Sequence, residues 1–295
     1  MTSTNDLRRA TPPFISCGMY AFTDDLKLAW RVLFDLFHSL AQDNNDIGDI
    51  LDPTLRFDTD ATTLRDDYLF MGHTCGYPLM KSLQDLLSPI CVPIFNVNAD
   101  INSDTDAAGN DVRYYSSIFI TSINSEIQSL HDSYQGVAAF NGRDSNSGMN
   151  VFRHALAPLA HKKGKGKPFF TRLIESGSHR QSLIEVSEGR ADIAAIDSVS
   201  LALIADAWPE LAAQVKGIGY SVKTCGLPFV MPNSRLKKTD PKRLTLLLNK
   251  ALTLLPDQHR QCLRLVEFID VELSQYHSIL DLEKQAIEMA YPDLI

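Results

Sequence analysis

Residues 136–197 read GVAAFNGRDSNSGMNVFRHALAPLAHKKGKGKPFFTRLIESGSHRQSLIEVSEGRADIAAID. Gly136–Phe140 is short and apolar, as a buried strand requires. A polar, glycine-containing turn, Asn141–Gly148, follows it and opens a predicted helix over Met149–Ala160. Phe169–Glu175 is a second strand, Arg180–Glu188 a second helix and Ala191–Asp197 a third strand. Strands alternating with helices at this spacing predict parallel pairing. In open parallel sheets ligands bind beyond the carboxyl ends of the strands. Three such ends fall at Asn141–Gly148, at Ser176-Gly177-Ser178-His179 and at Asp197-Ser198.

The flanking sequence extends the pattern. Phe14–Tyr20 predicts a strand. From Asp24, the residues Leu26, Ala29, Trp30, Leu33, Phe34, Phe37 and Leu40 recur at helical spacing. Leu55–Phe57, Tyr68–Met71, Cys91–Val97, Arg113–Thr121, Val215–Tyr220 and Pro228–Met231 read as further strands, with a helix over Pro78–Leu87 and a short one at Ser129–Asp132. Asp240-Pro241 marks a helix start. The chain from there to the C-terminus is expected to be helical, with Leu244, Leu247, Leu248, Ala251, Leu254 and Leu255 on one face. The expected class is α/β, with mainly parallel sheets flanked by helices. A length of 295 residues suits two compact units.

Composition narrows the function classes. Apolar content of 44% and charged content of 22% are those of an ordinary globular chain. The formal net charge of -8 makes the chain a poor nucleic-acid ligand, so no nucleic-acid partner is expected. Cys17, Cys75, Cys91, Cys225 and Cys262 are odd in number and widely spaced, which predicts buried thiols rather than a disulfide framework or a zinc site. No cofactor or metal is implied. The acidic loop Asp100–Asp111 places carboxylates at calcium-loop positions but lacks the central glycine and the final glutamate, and reads as a solvated hairpin. No apolar run is long enough to insert in a membrane. The N-terminal stretch has no secretory apolar core, so the chain as written reads as cytoplasmic, and as periplasmic if it is the mature form of an exported protein.

The chemistry concentrates on the three strand ends. A helix N-terminus presents unpaired N–H groups and a favourable dipole to an anion. Ser145, Asn146 and Ser147 add donors there, and the glycines allow close approach. Several hydrogen bonds to one anion, at about 1.5–3 kcal/mol each, are enough for micromolar binding. The plain alternative is N-capping by Ser145 or Ser147. His179 can donate to an anionic oxygen or cap its own helix. Asp197 can pair with a cationic ligand group, orient His179, or cap the next helix. Ser145, His179 and Asp197 also spell a nucleophile, base and orienter, but the serine is not on a G-x-S-x-G elbow.

The stretches RYYSS, GVAAFNGRDSNSGMNVFRHAL and ESGSHRQSLIEVSEGRADIAAID resemble the PhnD-like phosphate/phosphite/phosphonate solute-binding proteins of ABC transporters. Thr74-Cys75-Gly76-Tyr77-Pro78-Leu79 resembles a subgroup of them. The resemblance runs from Met19-Tyr20 to about Pro228. It implies a type 2 periplasmic-binding-protein fold: two α/β lobes, joined by two crossing strands, closing on the ligand. Residues 114–219 would form the second lobe, and 1–113 with 220–295 the first. It implies that Ser145, Asn146, Ser147 and His179 hold a small oxyanion, with Asn146 where threonine is usual. Tyr20 and Tyr77 are the facing lobe's candidates, and Tyr115 and Asp197 are further contacts. The implied function is non-enzymatic binding, with a permease as partner. A cytosolic sensor and an enzyme on the same fold, of hydrolase or cofactor-biosynthesis type, stay open as alternatives.

Overall fold

The computed structural model describes residues 12–42, 54–58, 60, 62–97, 112–164 and 167–294. The Asp100–Asp111 loop, residues 165–166 of the basic loop and residues 1–11 of the N-terminal stretch lie outside these residues. Along the chain come β1 (Phe14–Ser16), α1 (Asp24–Gln42), β2 (Thr54–Arg56), β3 (Leu69–His73), α2 (Gly76–Pro78) and β4 (Leu87–Phe95). Next are β5 (Tyr114–Tyr115), β6 (Ser117–Ser122), β7 (Val137–Phe140), α3 (Val151–Lys163), β8 (Arg172–Glu175), α4 (His179–Ser187) and β9 (Ile193–Asp197). They are followed by α5 (Ser198–Ala207), α6 (Pro209–Ala212), β10 (Val215–Tyr220), β11 (Thr224–Cys225) and β12 (Phe229–Pro232). The chain ends with α7 (Asn233–Leu236), α8 (Pro241–Leu254), α9 (Asp257–Leu263), β13 (Leu265–Asp270) and α10 (His277–Glu288).

These strands form two mixed sheets. The first has the order β13-β4-β12-β3-β1-β2 and the second β10-β6-β9-β7-β8. Parallel pairing is confined to β2-β1-β3 and β8-β7-β9, the strands with helical crossovers. The remaining neighbours pair antiparallel, so the sheets are less parallel than the sequence pattern implied. The chain passes between the sheets twice, through β5 and β11, which pair with each other antiparallel.

The first core forms where α1 buries Leu26, Ala29, Trp30, Leu33, Phe34, Phe37 and Ala41 against Phe229, Phe268 and the α8 leucines. Each large side chain removed from water there contributes about 1.5–3 kcal/mol. The Thr23 hydroxyl caps α1 by accepting from the Leu26 N–H at 3.1 Å. The second sheet has a core on each face: Phe152, Leu156 and Phe170 on the α3 side, and Leu183, Val186, Leu201 and Ile204 on the α4–α5 side. The C-terminal Ala286, Tyr291 and Leu294 join the α3-side core, although sequence placed them with the first lobe.

Two expectations need correction. The C-terminal region is not wholly helical, because Leu265–Asp270 forms the edge strand β13 on β4. Arg264, in left-handed conformation at φ 54°, stops α9 and turns the chain into it. A bulge between Leu265 and Glu267 blurs the period-2 signal that would have marked the strand. On α8, Leu244, Leu247, Leu248, Ala251 and the following Leu255 are buried as expected, but Leu254 is 54% exposed and Leu252 is buried in its place. All five cysteines are free, four buried and Cys262 partly so. No helix among the described residues is long and apolar enough to cross a membrane.

Candidate functional site

The second sheet's three parallel strands end at the turns singled out by sequence. After β7, Ser145 sits in extended conformation (φ -81°, ψ 130°) and its hydroxyl accepts from the Gly148 N–H at 3.0 Å. It is therefore a cap. The turn it starts is a π-turn, wider than an α-turn, with the Asn150 N–H donating to the Ser145 carbonyl at 3.0 Å. This widening carries Ser147 out toward α4. Gly148 leaves room for its neighbours: a Cβ there would push the Asn141 side chain aside and press on the His179 ring.

After β8, Ser178 caps α4 by accepting from the Gln181 N–H at 3.1 Å, which makes His179 the first helical residue. His179 Nε2 lies 2.8 Å from Ser147 Oγ and 3.2 Å from Asp197 Oδ2. Asp197, at the end of β9, caps α5 by accepting from the Ser200 N–H at 2.8 Å. The same carboxylate also accepts from the Tyr20 hydroxyl at 3.3 Å. Tyr20 lies in the turn after β1, on the first sheet's side. Its ring packs edge-on against His73 and Phe95, and its carbonyl accepts from Trp30 Nε1 at 3.2 Å. The Tyr115 hydroxyl, from crossing strand β5, is buried beside Asn146 and Ser147.

Five of the eight expected residues thus converge: Ser147, His179, Asp197, Tyr20 and Tyr115. The Asn146 backbone joins them, but its N–H donates to Cys75 Sγ at 3.3 Å. Its side chain is turned away, donating from Nδ2 to Thr224 Oγ1 at 2.9 Å. Ser145 accepts at its cap, which leaves its O–H free to donate. The Tyr77 hydroxyl donates to Glu283 Oε1 at 2.7 Å, so it faces α10 rather than Ser147.

Burial shapes the electrostatics. It lowers the His179 pKa despite the opposing pull of Asp197, so the ring is neutral near pH 7. Burial, and then the Asp197 charge, push the Tyr20 hydroxyl well above its ordinary range, so it stays a donor. Because Asp197 faces Nε2, that nitrogen must carry the ring proton. A serine hydrolase needs the opposite arrangement, with the carboxylate on Nδ1 and a free Nε2 lone pair to take the serine proton. The geometry suits donation to an oxygen, not proton abstraction from Ser147.

Sequence reading missed the polar residues beneath the turn. Asn150 and Arg153, 0% and 3% exposed, share one helix face with Asn146 at i, i+4 and i+7. That polar stripe in an apolar setting was the available signal. Cys75, Thr224 and Glu283 carried none, because only the tertiary fold brings them there. A cavity of about 740 Å³ lies elsewhere, lined by Thr23, Asp25, Asp206, Arg260, Cys262 and Arg264 among others. Arg264 and Asp206 in it already pair at 2.6 Å.

The family model for the phosphonate periplasmic substrate-binding proteins of ABC transporters matches residues 92–272, more than half of the chain. No curated protein sequence matches. Among solved structures, a binding-protein component of an ABC phosphonate transporter from Pseudomonas aeruginosa is similar with a TM-score of 0.68 at 17% identity, over 94% of this chain and 87% of that one. PhnD1 from Prochlorococcus marinus, in complex with methylphosphonate, is similar with a TM-score of 0.63 at 15% identity, over 93% and 98%. A Xanthomonas citri protein bound to chloride ion has a TM-score of 0.65 at 12% identity, over 95% and 99%. At these identities the structural likeness establishes the periplasmic-binding-protein fold.

Proposed function

This chain belongs to the family of phosphonate periplasmic substrate-binding proteins of ABC transporters, and from that premise we propose that it binds a small phosphorus oxyanion without turning it over. Phosphate, phosphite or a phosphonate would be held between the two sheets and delivered to a permease in the periplasm. Ser147 would donate to an anionic oxygen, His179 would hold that hydroxyl in place from Nε2, Tyr115 would line the site beside it, and Tyr20 would close the site from the first lobe. In this reading the lobes divide at residues 113/114 and 219/220, with the C-terminal segment docked on the second.

The observation that carries the reading is the Ser147–His179–Asp197 cluster at the N-terminus of a helix. Asp197 refines it. An ionised carboxylate offers about four lone-pair sites. Three are engaged, by Tyr20, His179 and the Ser200 N–H. The remaining site favours a ligand that carries its own donor, such as a P–OH group, and disfavours an anion with none at neutral pH. Calorimetry with phosphate, phosphite, methylphosphonate and sulfate tests this. Phosphorus oxyanions are expected to bind and sulfate to bind far more weakly. No binding to any of them, or binding indifferent to Ser147→Ala and His179→Ala, would sink the site. Equal affinity for sulfate would remove the role given to Asp197.

A further inference from the structure

We infer that Asn146, the central residue of the anion turn, is a positioning residue: its side-chain amide joins the turn to the crossing strands. Asn146 is fully buried and Thr224, its partner in β11, is 2% exposed. Their hydrogen bond therefore sits where an unmade partner is costly.

The polarity of the bond is fixed by a chain of partners. Arg153 can only donate. Its Nη2 donates to Asn150 Oδ1 at 2.7 Å, so the Asn150 amide nitrogen must face the other way. That nitrogen donates to Asn146 Oδ1 at 3.1 Å and to the Ile279 carbonyl at 2.9 Å. Asn146 must then present its own amide nitrogen to Thr224 Oγ1, at 2.9 Å. No rotation of either amide satisfies the set another way.

Thr224 pairs across the crossing ribbon with Tyr115, whose hydroxyl lies beside Asn146 and Ser147. A twist of the ribbon, which lobe motion requires, displaces both residues. Through Asn146 it displaces the backbone that aims Ser147 at His179. At its other end the chain reaches Glu283, 3.7 Å from Arg153 and bonded to Tyr77 and Lys81 of the first lobe. Crossing strands, anion turn and both lobes are thus tied by one polar path, buried as far as Arg153 and ending in the Glu283 ion pairs. Lobe closure and the geometry of the turn become a single event.

The test uses Thr224→Val, which keeps the shape and removes the acceptor, with Thr224→Ser as the rescue. Two quantities are read: the radius of gyration by small-angle scattering without ligand, and the affinity for methylphosphonate. Thr224→Val is expected to enlarge the radius and to weaken binding by at least about fivefold, the low end of typical coupling between sites. Thr224→Ser is expected to restore both. A merely structural role would lower the melting temperature of Thr224→Val and leave radius and affinity as in the wild type, which overturns the inference. Failure of serine to restore them overturns it too. The affinity arm rests on the binding reading proposed above, whereas the scattering arm does not. If the wild-type chain binds no oxyanion while valine enlarges the radius and serine reverses it, the joint stands and the binding reading falls.

Discussion

In the first sheet β1 lies between β2 and β3, and in the second β7 lies between β8 and β9. Both central strands run out into a turn and then a helix, so the topology builds the same helix N-terminus twice. The two turns differ in charge. After β1, Thr23 caps α1 and Asp24 and Asp25 occupy its first turn. Those carboxylates answer the helix dipole from within the chain. After β7, Ser145 caps the helix and the first turn holds no acidic residue. The field there is left for something else. The third strands differ as well. β9 ends on Asp197, which gathers His179 and Tyr20, whereas β3 ends on His73, a buried ring stacked 4.5 Å from Phe229. One topology therefore supplies the polar cluster proposed for recognition beside the second sheet and an aromatic cover beside the first.

The two histidines offer the strongest way to break this contrast. Burial lowers the His73 pKa from 6.5 to about 3, opposed only in part by the Leu227 carbonyl. Above pH 6.5 the ring is neutral in both folded and unfolded chains. Between pH 6.5 and about 3 the unfolded chain takes up a proton that the native chain refuses. Stability must then fall with pH, by about 1.4 kcal/mol per unit for this group, several kcal/mol in all. Denaturant titrations across that range should show a steeper fall in the wild type than in His73→Gln. Parallel curves would mean that His73 is not the apolar-core histidine described. The His179 shift has the same sign, but the Asp197 charge opposes it, so a weaker dependence is expected from that site.

On the ligand side, Ser147→Ala removes a hydrogen bond to a charged group, at about 1.5–3 kcal/mol. Affinity for methylphosphonate should drop by roughly ten- to 150-fold while the melting temperature stays close to that of the wild type. A melting temperature that falls with unchanged affinity would reduce Ser147 to a structural residue, and the second lobe would lose its distinction from the first. Tyr20→Phe asks the matching question of the cover. It removes one hydrogen bond to the Asp197 carboxylate, long at 3.3 Å, so the low end for bonds to charged groups, about 1.5 kcal/mol, applies and a loss of roughly tenfold is expected by calorimetry. A loss as large as that of Ser147→Ala would mean that recognition is shared equally between the lobes.

Much of this contrast was legible in the sequence. The three strand ends, the acidic start of α1 and the glycine that admits His179 are local features, written in consecutive residues. Alternating strands and helices gave the α/β class for the same reason. What stayed hidden depends on distant partners. Asn146 reads as a ligand donor until Thr224 and Asn150 are seen to take both ends of its amide. Tyr77 reads as a ligand contact until Glu283 takes its hydroxyl. β13 was lost because a bulge breaks its alternation and because its partner β4 lies far back in the chain. The antiparallel strands in each sheet come from the crossings, which no local period records.

The smallest expected effect falls on the first lobe's own helix start. Thr23→Ala removes the α1 cap, and because Thr23 is only half-buried, water can replace part of what is lost. A cost of about 0.5–1 kcal/mol is expected, toward the low end for lost N-caps. Urea unfolding should register it as a lower midpoint with an unchanged slope, the signature of altered stability without altered compactness. Oxyanion affinity should not move, since Asp24 and Asp25 already repel an anion from that turn. A loss of affinity matching that of Ser147→Ala would place the ligand against α1 as well. The carboxylates of the first lobe would then be part of the site, and charge at the helix start would not be what separates the two lobes.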